Sequence, residues 1–333
     1  MTPTRILTFP CAEIFMTQLA RLGCSIEVAV ATGTVANQPW MLARALPPDI
    51  RPVPWTAARA RRVTADYDVV ICHTLDELAG VRAAAAAMPA VLRPNPPREA
   101  MFGLGADEAF RLLGSDGSTT SCVFDSVAHR RAWSRIDGVV IAPGVSISAF
   151  GPYAGDEPSV LIAGHLLAEL PLQSGYPALE RITAGLPVVA LGFNPSLGQS
   201  RLVSPRLDRL AAYRRHRLYL NTAVSPFADA ANPWVLEAMA SGMPVVTLAD
   251  AASPVEHGVT GLVADEPAGA RLHVMELLED HDLAMRLGRA ARESIDRRYP
   301  PERFLSAWSA RIDAIMRGGH RSPASPALTR ISA

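Results

Sequence analysis

Asp229-Ala-Ala-Asn-Pro-Trp-Val-Leu-Glu-Ala-Met-Ala-Ser-Gly-Met-Pro244 reads as a loop feeding a short helix, with an acid on either side of the helix start. Asn232 is a favoured N-cap, and Pro233 follows at the first helical position, where its missing N–H costs nothing and its φ is already helical. Gly242 and Pro244 supply the stop. Between these signals every residue except Glu237 and Ser241 is apolar, which leaves no polar face and predicts a helix buried nearly all round. Glu237 is then the anomaly, because a carboxylate is costly to desolvate unless donors replace the water. The hydroxyls of a bound polyol would supply such donors, and neighbouring backbone is the simpler source. The N–H groups and positive dipole end at Asn232 to Val235 suit a phosphate. Asp229 lies eight residues before Glu237, on the approach loop, from which it could face the same ligand.

Outward from this helix the chain alternates short apolar runs with helical patterns, the mark of βαβ units. Arg5 to Pro10 predicts a strand, Ala12 to Leu22 a helix ended by Gly23, and Ile26 to Ala31 a strand. The first turn, Cys11-Ala-Glu13, lacks the G-x-G-x-x-G of a dinucleotide site. Residues 33 to 65 read mostly as connection with a short strand near Val53; Arg59, Arg61 and Arg62 form either a solvated basic cluster or a contact for an acidic substrate. Tyr67 to Thr74 is a buried parallel strand with His73 at its carboxyl end, where ligands sit in doubly wound sheets. Taken alone, His73 either caps the next helix or meets a substrate. A helix through alanines 83 to 87, a strand Ala90 to Arg93, a helix Asp107 to Leu113 and strands Thr119 to Phe124 and Gly138 to Ala142 follow.

The pattern restarts with a strand from Ser159 to His165 and another from Leu186 to Leu191. The loop Gly192 to Gly198 either brings backbone close to a ligand or is ordinary turn chemistry. Arg206 to Arg217 predicts a helix with Leu207, Leu210, Ala211 and Arg214 spaced along its faces. Beyond the central helix come a strand Val245 to Leu248, a turn and strand ending at Val263, and helices 268 to 280 and 281 to 297. Pro301 to Met316 carries an apolar stripe of Phe304, Trp308, Ile312 and Ile315. Residues 318 to 333 are small and polar and predict a disordered tail.

An acid, seven residues and then Glu237-Ala-Met-Ala-Ser-Gly-Met-Pro-Val-Val246 resembles the signature of retaining glycosyltransferase family 4, and Ser253 to Val263 resembles that family's Gly-x-x-Gly-x-Val turn. The resemblance covers most of residues 138 to 300. It implies the α/β GT-B architecture: two facing Rossmann-like domains, with a C-terminal helix crossing back to the first. Residues 1–148 would form the acceptor domain, 149–300 the nucleotide-sugar donor domain, and about 301–317 the crossing helix. Pro143 to Phe150 resembles the family's interdomain hinge, with Ser146 where Asp is usual.

The implied activity is retaining transfer of a sugar from a nucleotide-diphosphate sugar to a small-molecule or glycoconjugate acceptor, with no metal and no cofactor beyond the donor. By the same resemblance Glu237 would accept hydrogen bonds from the donor ribose and Asp229 from the transferred sugar. Asn232, Pro233, Trp234 and Val235 would form the helix start at the diphosphate, and His73 would stand near the reacting sugar. Gly164 and His165 occupy the place of a Gly-Arg pair, and the Lys expected several residues later is missing. His165 together with Arg201, which follows the Gly-rich loop, would take over that charge. Glu13 marks the acceptor side, where many relatives carry a glycine pair. Only about 35 residues separate Leu191 from Asp229, which implies a trimmed βα unit. Two alternatives stand beside this reading: a nucleotide-sugar epimerase of related architecture, and a non-catalytic GT-B ligand-binding protein.

Composition agrees with two domains in 333 residues, and a formal net charge of zero favours neither nucleic acid nor an anionic membrane as partner. All 32 basic side chains are Arg, so a phosphate must be met by Arg, His or backbone N–H groups. Cys11, Cys24, Cys72 and Cys122 show no paired spacing and read as small buried thiols of a reducing cytosol. Glu13, Gln18 and Arg21 interrupt the N-terminal apolar run, which fits a first strand and helix rather than a signal peptide. With no apolar run long enough to span a bilayer, the expectation is a cytoplasmic protein.

Overall fold

In the computed structural model of the chain, the residues described are 3–11, 13–30, 46–94, 120–133, 138–197, 209–223, 232–250 and 253–317. They form two parallel sheets. The first comprises β1 (Arg5–Thr8), β2 (Ser25–Val30), β3 (Ile50–Pro54), β4 (Val69–Cys72), β5 (Ala90–Leu92), β6 (Thr120–Phe124) and β7 (Val139–Val140), in the order β3-β2-β1-β4-β5-β6-β7. The second comprises β8 (Glu157–Ala163), β9 (Val188–Leu191), β10 (His216–Asn221), β11 (Val245–Leu248) and β12 (Gly261–Ala264), in the order β12-β11-β10-β8-β9.

Parallel strands carry helices on both faces, so their side chains alternate between two cores instead of between core and water. Ile6, Val69 and Ile71 join the cluster on one face of the first sheet, and Leu7, Val70 and Cys72 the cluster on the other. Leu161 and Tyr219 of the second sheet face one core, whereas Val160, Ile162, Leu218 and Leu220 face its opposite. This two-sided burial is why the strands read as continuous apolar runs. The strand direction reverses its order between β1 and β4 in the first sheet and between β8 and β10 in the second. A crevice opens beyond the carboxyl ends of the strands at such a switch.

The chain crosses between the sheets twice. Gln18 holds Gly144 of the outward crossing at both backbone groups: its Nε2 donates to the Gly144 carbonyl, and its Oε1 accepts from the Gly144 N–H at 3.1 Å. A Cβ at Gly144 would come within 2.6 Å of the Pro301 backbone, so only glycine allows the crossings to pack this closely. Further on, Arg292 donates to the carbonyls of Ile147 (2.9 Å), Phe150 (3.4 Å) and Ala240. The return crossing at Tyr299 accepts the Val145 N–H at 2.8 Å. The helix Pro301–Met316 then lies on the first sheet, with Phe304, Trp308, Ile312 and Ile315 in the same core as Ile6, Phe15 and Ile71.

Several elements depart from the expected boundaries. Residues 57–66, read as connection, form helices Ala57–Arg61 and Val63–Asp66; the Thr56 hydroxyl caps the first by accepting from the Arg59 N–H. The alanine-rich helix ends at Ala84, because the Arg82 guanidinium turns back to the carbonyls of Ala86 and Met88 beyond it. Of the expected helix 206–217, residues 206–208 lie outside the described residues; the helix Arg209–Arg215 ends earlier than expected and runs directly into β10. Arg217 belongs to that strand because its buried guanidinium serves the carbonyls of Gly155, Leu277 and Leu278. The predicted helix Asp107–Leu113 and tail 318–333 lie outside the described residues. Cys11, Cys72 and Cys122 are buried and Cys24 is half-buried; burial pushes the Cys11 thiol up to about 12.

Candidate functional site

At the switch point of the second sheet, the ends of β8 and β10 and the start of the helix Pro233–Ser241 enclose a cavity of about 150 Å³. Gly164 and His165 enter it from β8, Asn221 and Thr222 from β10, and Asn232 and Trp234 from the helix start. The helix begins and ends where its local chemistry dictates. The Asn232 Oδ1 accepts from the Trp234 N–H at 3.1 Å, Pro233 occupies the first position, and Gly242 closes it in the left-handed region with φ of 89°. Asn232 also donates to Asn221 Oδ1 at 3.3 Å, which joins the cap to the end of β10. Val235 through Ser241 are all buried, as the missing polar face implied. The positive end of the helix therefore points at the cavity mouth with its N–H groups fixed.

Glu237 lies one turn inside this helix and is only 2% exposed. Its partner is Arg209, whose Nη1 donates to both carboxylate oxygens at 3.1 and 3.2 Å. A guanidinium of the protein thus meets this carboxylate, a source of donors that the sequence reading did not name. Arg209 opens the helix Arg209–Arg215, and Tyr213, four residues on, donates to the Trp234 carbonyl at 3.3 Å. That face of the helix, with Ala212 and Tyr213, is buried, while Leu210 on another face is 37% exposed.

His165 turns its ring toward Trp234, with centroids 6.0 Å apart. Its Nδ1 accepts the Phe193 N–H at 3.0 Å, and burial lowers its pKa. An imidazolium could not accept that bond, so the ring is neutral and carries its proton on Nε2. It brings a hydrogen-bond donor to the place of the expected arginine, and no charge. The loop after Leu191 is a clasp: Asn194 donates to the Gly164 carbonyl at 2.8 Å and accepts from the Leu167 N–H at 2.9 Å. Leu166, between these anchors, is held at φ of 56°, an unfavourable angle for a branched side chain.

The first sheet presents a second polar cluster at its own switch point. Thr8, His73, Arg93 and Asp125 stand at or just beyond the carboxyl ends of β1, β4, β5 and β6. His73 is 2% exposed, and both of its nitrogens are engaged within the protein, Nδ1 with the Arg93 carbonyl at 3.3 Å and Nε2 with Thr8 Oγ1 at 3.1 Å. Burial, reinforced by Arg93, holds its pKa well below the usual histidine value. Thr74 is the residue that caps the next helix, through a capping box with Glu77. Arg93 pairs with Asp125 through Nε to Oδ1 at 2.9 Å and through Nη2 to Oδ2, and its guanidinium lies 4.3 Å from the Phe15 ring centroid.

Of the residues singled out in the sequence, Gly164, His165, Asn232 and Trp234 line one cavity, with Pro233 and Val235 in the same helix turn and Glu237 behind it. His73 belongs to the first-sheet cluster, and Glu13 is the first residue of the helix that follows β1. Asp229 and Arg201 lie outside the described residues. Arg209, Arg93, Asp125 and Asn194 were not singled out. For Arg209 the usable signal was its four-residue spacing from Tyr213 on a helix leading into the central strand.

Two parallel sheets, each with a polar cluster at its switch point and tied by a returning C-terminal helix, define a two-sheet α/β class of protein. Residues 198–310 match the family model described as glycosyl transferase-like. No curated protein is similar to the chain by sequence. Among solved structures, the chain is similar to Anabaena Alr3699/HepE in complex with UDP and glucose, with 15% identity and a TM-score of 0.74 over 93% of this chain and 100% of that one. It also resembles sucrose-phosphate synthase from Thermosynechococcus elongatus (14%, TM-score 0.68, 94% and 99%) and a glycosyltransferase from Rickettsia africae (12%, TM-score 0.69, 95% and 100%). These likenesses are of fold, and the fold is GT-B, as the central motif implied. No described helix is long and apolar enough to cross a membrane.

Proposed function

We propose that the chain is a retaining glycosyltransferase that moves a sugar from a nucleotide-diphosphate donor to a small-molecule or glycoconjugate acceptor, without a metal or further cofactor. The observation that carries this reading is the buried Glu237 carboxylate, one turn inside a helix whose N-terminus opens on the second-sheet cavity. The family model matched over this region and the UDP complexes of the Anabaena protein support it.

Separating a diphosphate from a sugar places negative charge on the departing oxygens and positive charge on the ring, so fixed donors at the diphosphate lower the barrier. In this reading the N–H groups at the start of the Pro233–Ser241 helix and the Nε2–H of His165 receive the diphosphate. Glu237 receives the ribose hydroxyls, and Asp229 the transferred sugar. Arg201 adds charge at the diphosphate. Acceptors enter from the first domain, past Glu13. For His73 to take part, its Nε2 must exchange the Thr8 hydroxyl for a substrate hydroxyl.

Calorimetric titration with uridine, guanosine and adenosine diphosphates tests the donor site, followed by release of nucleotide from the matching sugar donors. Binding of one diphosphate, abolished in Glu237→Ala with the circular dichroism spectrum kept, is the expected result. A protein that binds none of them is not a nucleotide-sugar transferase.

A further inference from the structure

Helix Arg209–Arg215 offers two side chains on one face, Arg209 and Tyr213, spaced four residues apart, and they meet Trp234 and Glu237, spaced three apart on the site helix. The register places a guanidinium on the carboxylate and a phenol on the carbonyl one turn nearer the cavity. Arg209 is 20% exposed in its side chain and Glu237 only 3%, so the cation reaches in from a wetter position to a nearly dry anion. Tyr219 of β10 also faces Glu237 and lies fully inside the core. Within the helix the neighbours of Glu237 are apolar except Ser241, whose hydroxyl donates to the Ala238 carbonyl.

A glutamate has three side-chain torsions, and a contact to both oxygens fixes more of them than a contact to one. The Arg209 Nη1 reaches both oxygens, at 3.1 and 3.2 Å. A carboxylate accepts hydrogen bonds, and so suits a ligand presenting hydroxyl donors. In a chain without lysine, arginine is the long cationic side chain available for this contact.

We infer that Arg209 is a positioning residue of the donor site, setting the orientation of Glu237 for the ribose hydroxyls of the nucleotide. This rests on the donor site proposed above. Arg209 acts through Glu237 and makes no contact of its own with the nucleotide that the preference depends on.

The test compares the diphosphate that the titration above selects, UDP for a uridine site, with its 2′,3′-dideoxy form by titration calorimetry. The wild-type protein binds UDP more tightly by about tenfold, the effect of hydrogen bonds to a buried charged acceptor. In Arg209→Met the preference falls to about twofold or less, because UDP weakens while the dideoxy nucleotide holds. The double variant Arg209→Met/Glu237→Gln, which leaves no orphaned carboxylate, binds both nucleotides as Glu237→Gln does alone. Should the methionine variant fail to fold, that second comparison carries the test. A folded Arg209→Met with the wild-type preference, or with both nucleotides weakened equally, overturns the assignment. So does UDP binding weaker in the double variant than in Glu237→Gln. Wild-type protein that binds none of the uridine, guanosine and adenosine diphosphates refutes the donor site itself, whereas a wild-type preference for the hydroxyl-bearing nucleotide that survives in the variants refutes only the role of Arg209.

Discussion

Replacing Arg93 by methionine isolates the energetics of the first-domain cluster. The Arg93 and Asp125 side chains are 6% and 7% exposed, and the pair closes through two parallel hydrogen bonds. A buried pair of this kind contributes little over a well-packed apolar pair, since the attraction mostly offsets the desolvation of both ions. Breaking it is different: methionine leaves the Asp125 carboxylate dry and unanswered, at a cost of about 3–5 kcal/mol. Loss of the guanidinium over the Phe15 ring adds roughly 0.5–1 kcal/mol. For a domain of this size each kcal/mol lowers the melting temperature by about 2–4 °C, so Arg93→Met should melt roughly 10 °C or more below the wild type by circular dichroism. The double change Arg93→Met/Asp125→Leu removes both charges and should recover most of that loss. A single variant melting within about 2 °C of the wild type, or a double variant as unstable as the single, would refute the claim that the penalty is an orphaned charge.

Gly144→Ala sets a methyl group 2.6 Å from the Pro301 backbone and should destabilise by about 1–3 kcal/mol, read as a lower denaturant midpoint. Burial lifts the Glu77 carboxyl from 4.5 to about 7 against the pull of the His73 and Thr74 N–H groups. Its folded pKa is raised, so its contribution is complete below about pH 4.5 and is lost as pH rises through about 7. Glu77→Gln should therefore flatten the fall of the melting temperature across that interval, and an unchanged slope would remove Glu77 as its source. Asn194→Ala frees the Gly164 carbonyl and the Leu167 N–H together; it should cost about 1–3 kcal/mol and weaken nucleotide binding, because the strained Leu166 turn loses its clasp.

The fold was largely legible because two-sided burial writes each parallel strand as an unbroken apolar run, and because Asn232, Pro233 and Gly242 mark their helix ends with residue-specific backbone chemistry. The helix start that borders the second-sheet cavity was legible for the same reason. Arg209 was not, because its role depends on a helix face chosen by tertiary packing, the face of Ala212 and Tyr213, which the apolar spacing left open. Arg93 and Asp125 are separated by 31 residues and meet only because β5 and β6 are neighbours. The helix Ala57–Arg61 escaped notice because arginine and proline density in that region resembles a connection, whereas one Thr56 hydroxyl is enough to start a turn.

The hydrogen bond from Val145 to Tyr299 has a mechanical consequence. Both covalent passages between the sheets run through it, with Gln18 gripping the chain one residue before and Arg292 gripping it two residues after. Like two leaves hung on a single pin, the sheets can turn about this point but not slide past it. Any widening of the cleft must therefore be an arc, small beside the pin and largest at the far rim.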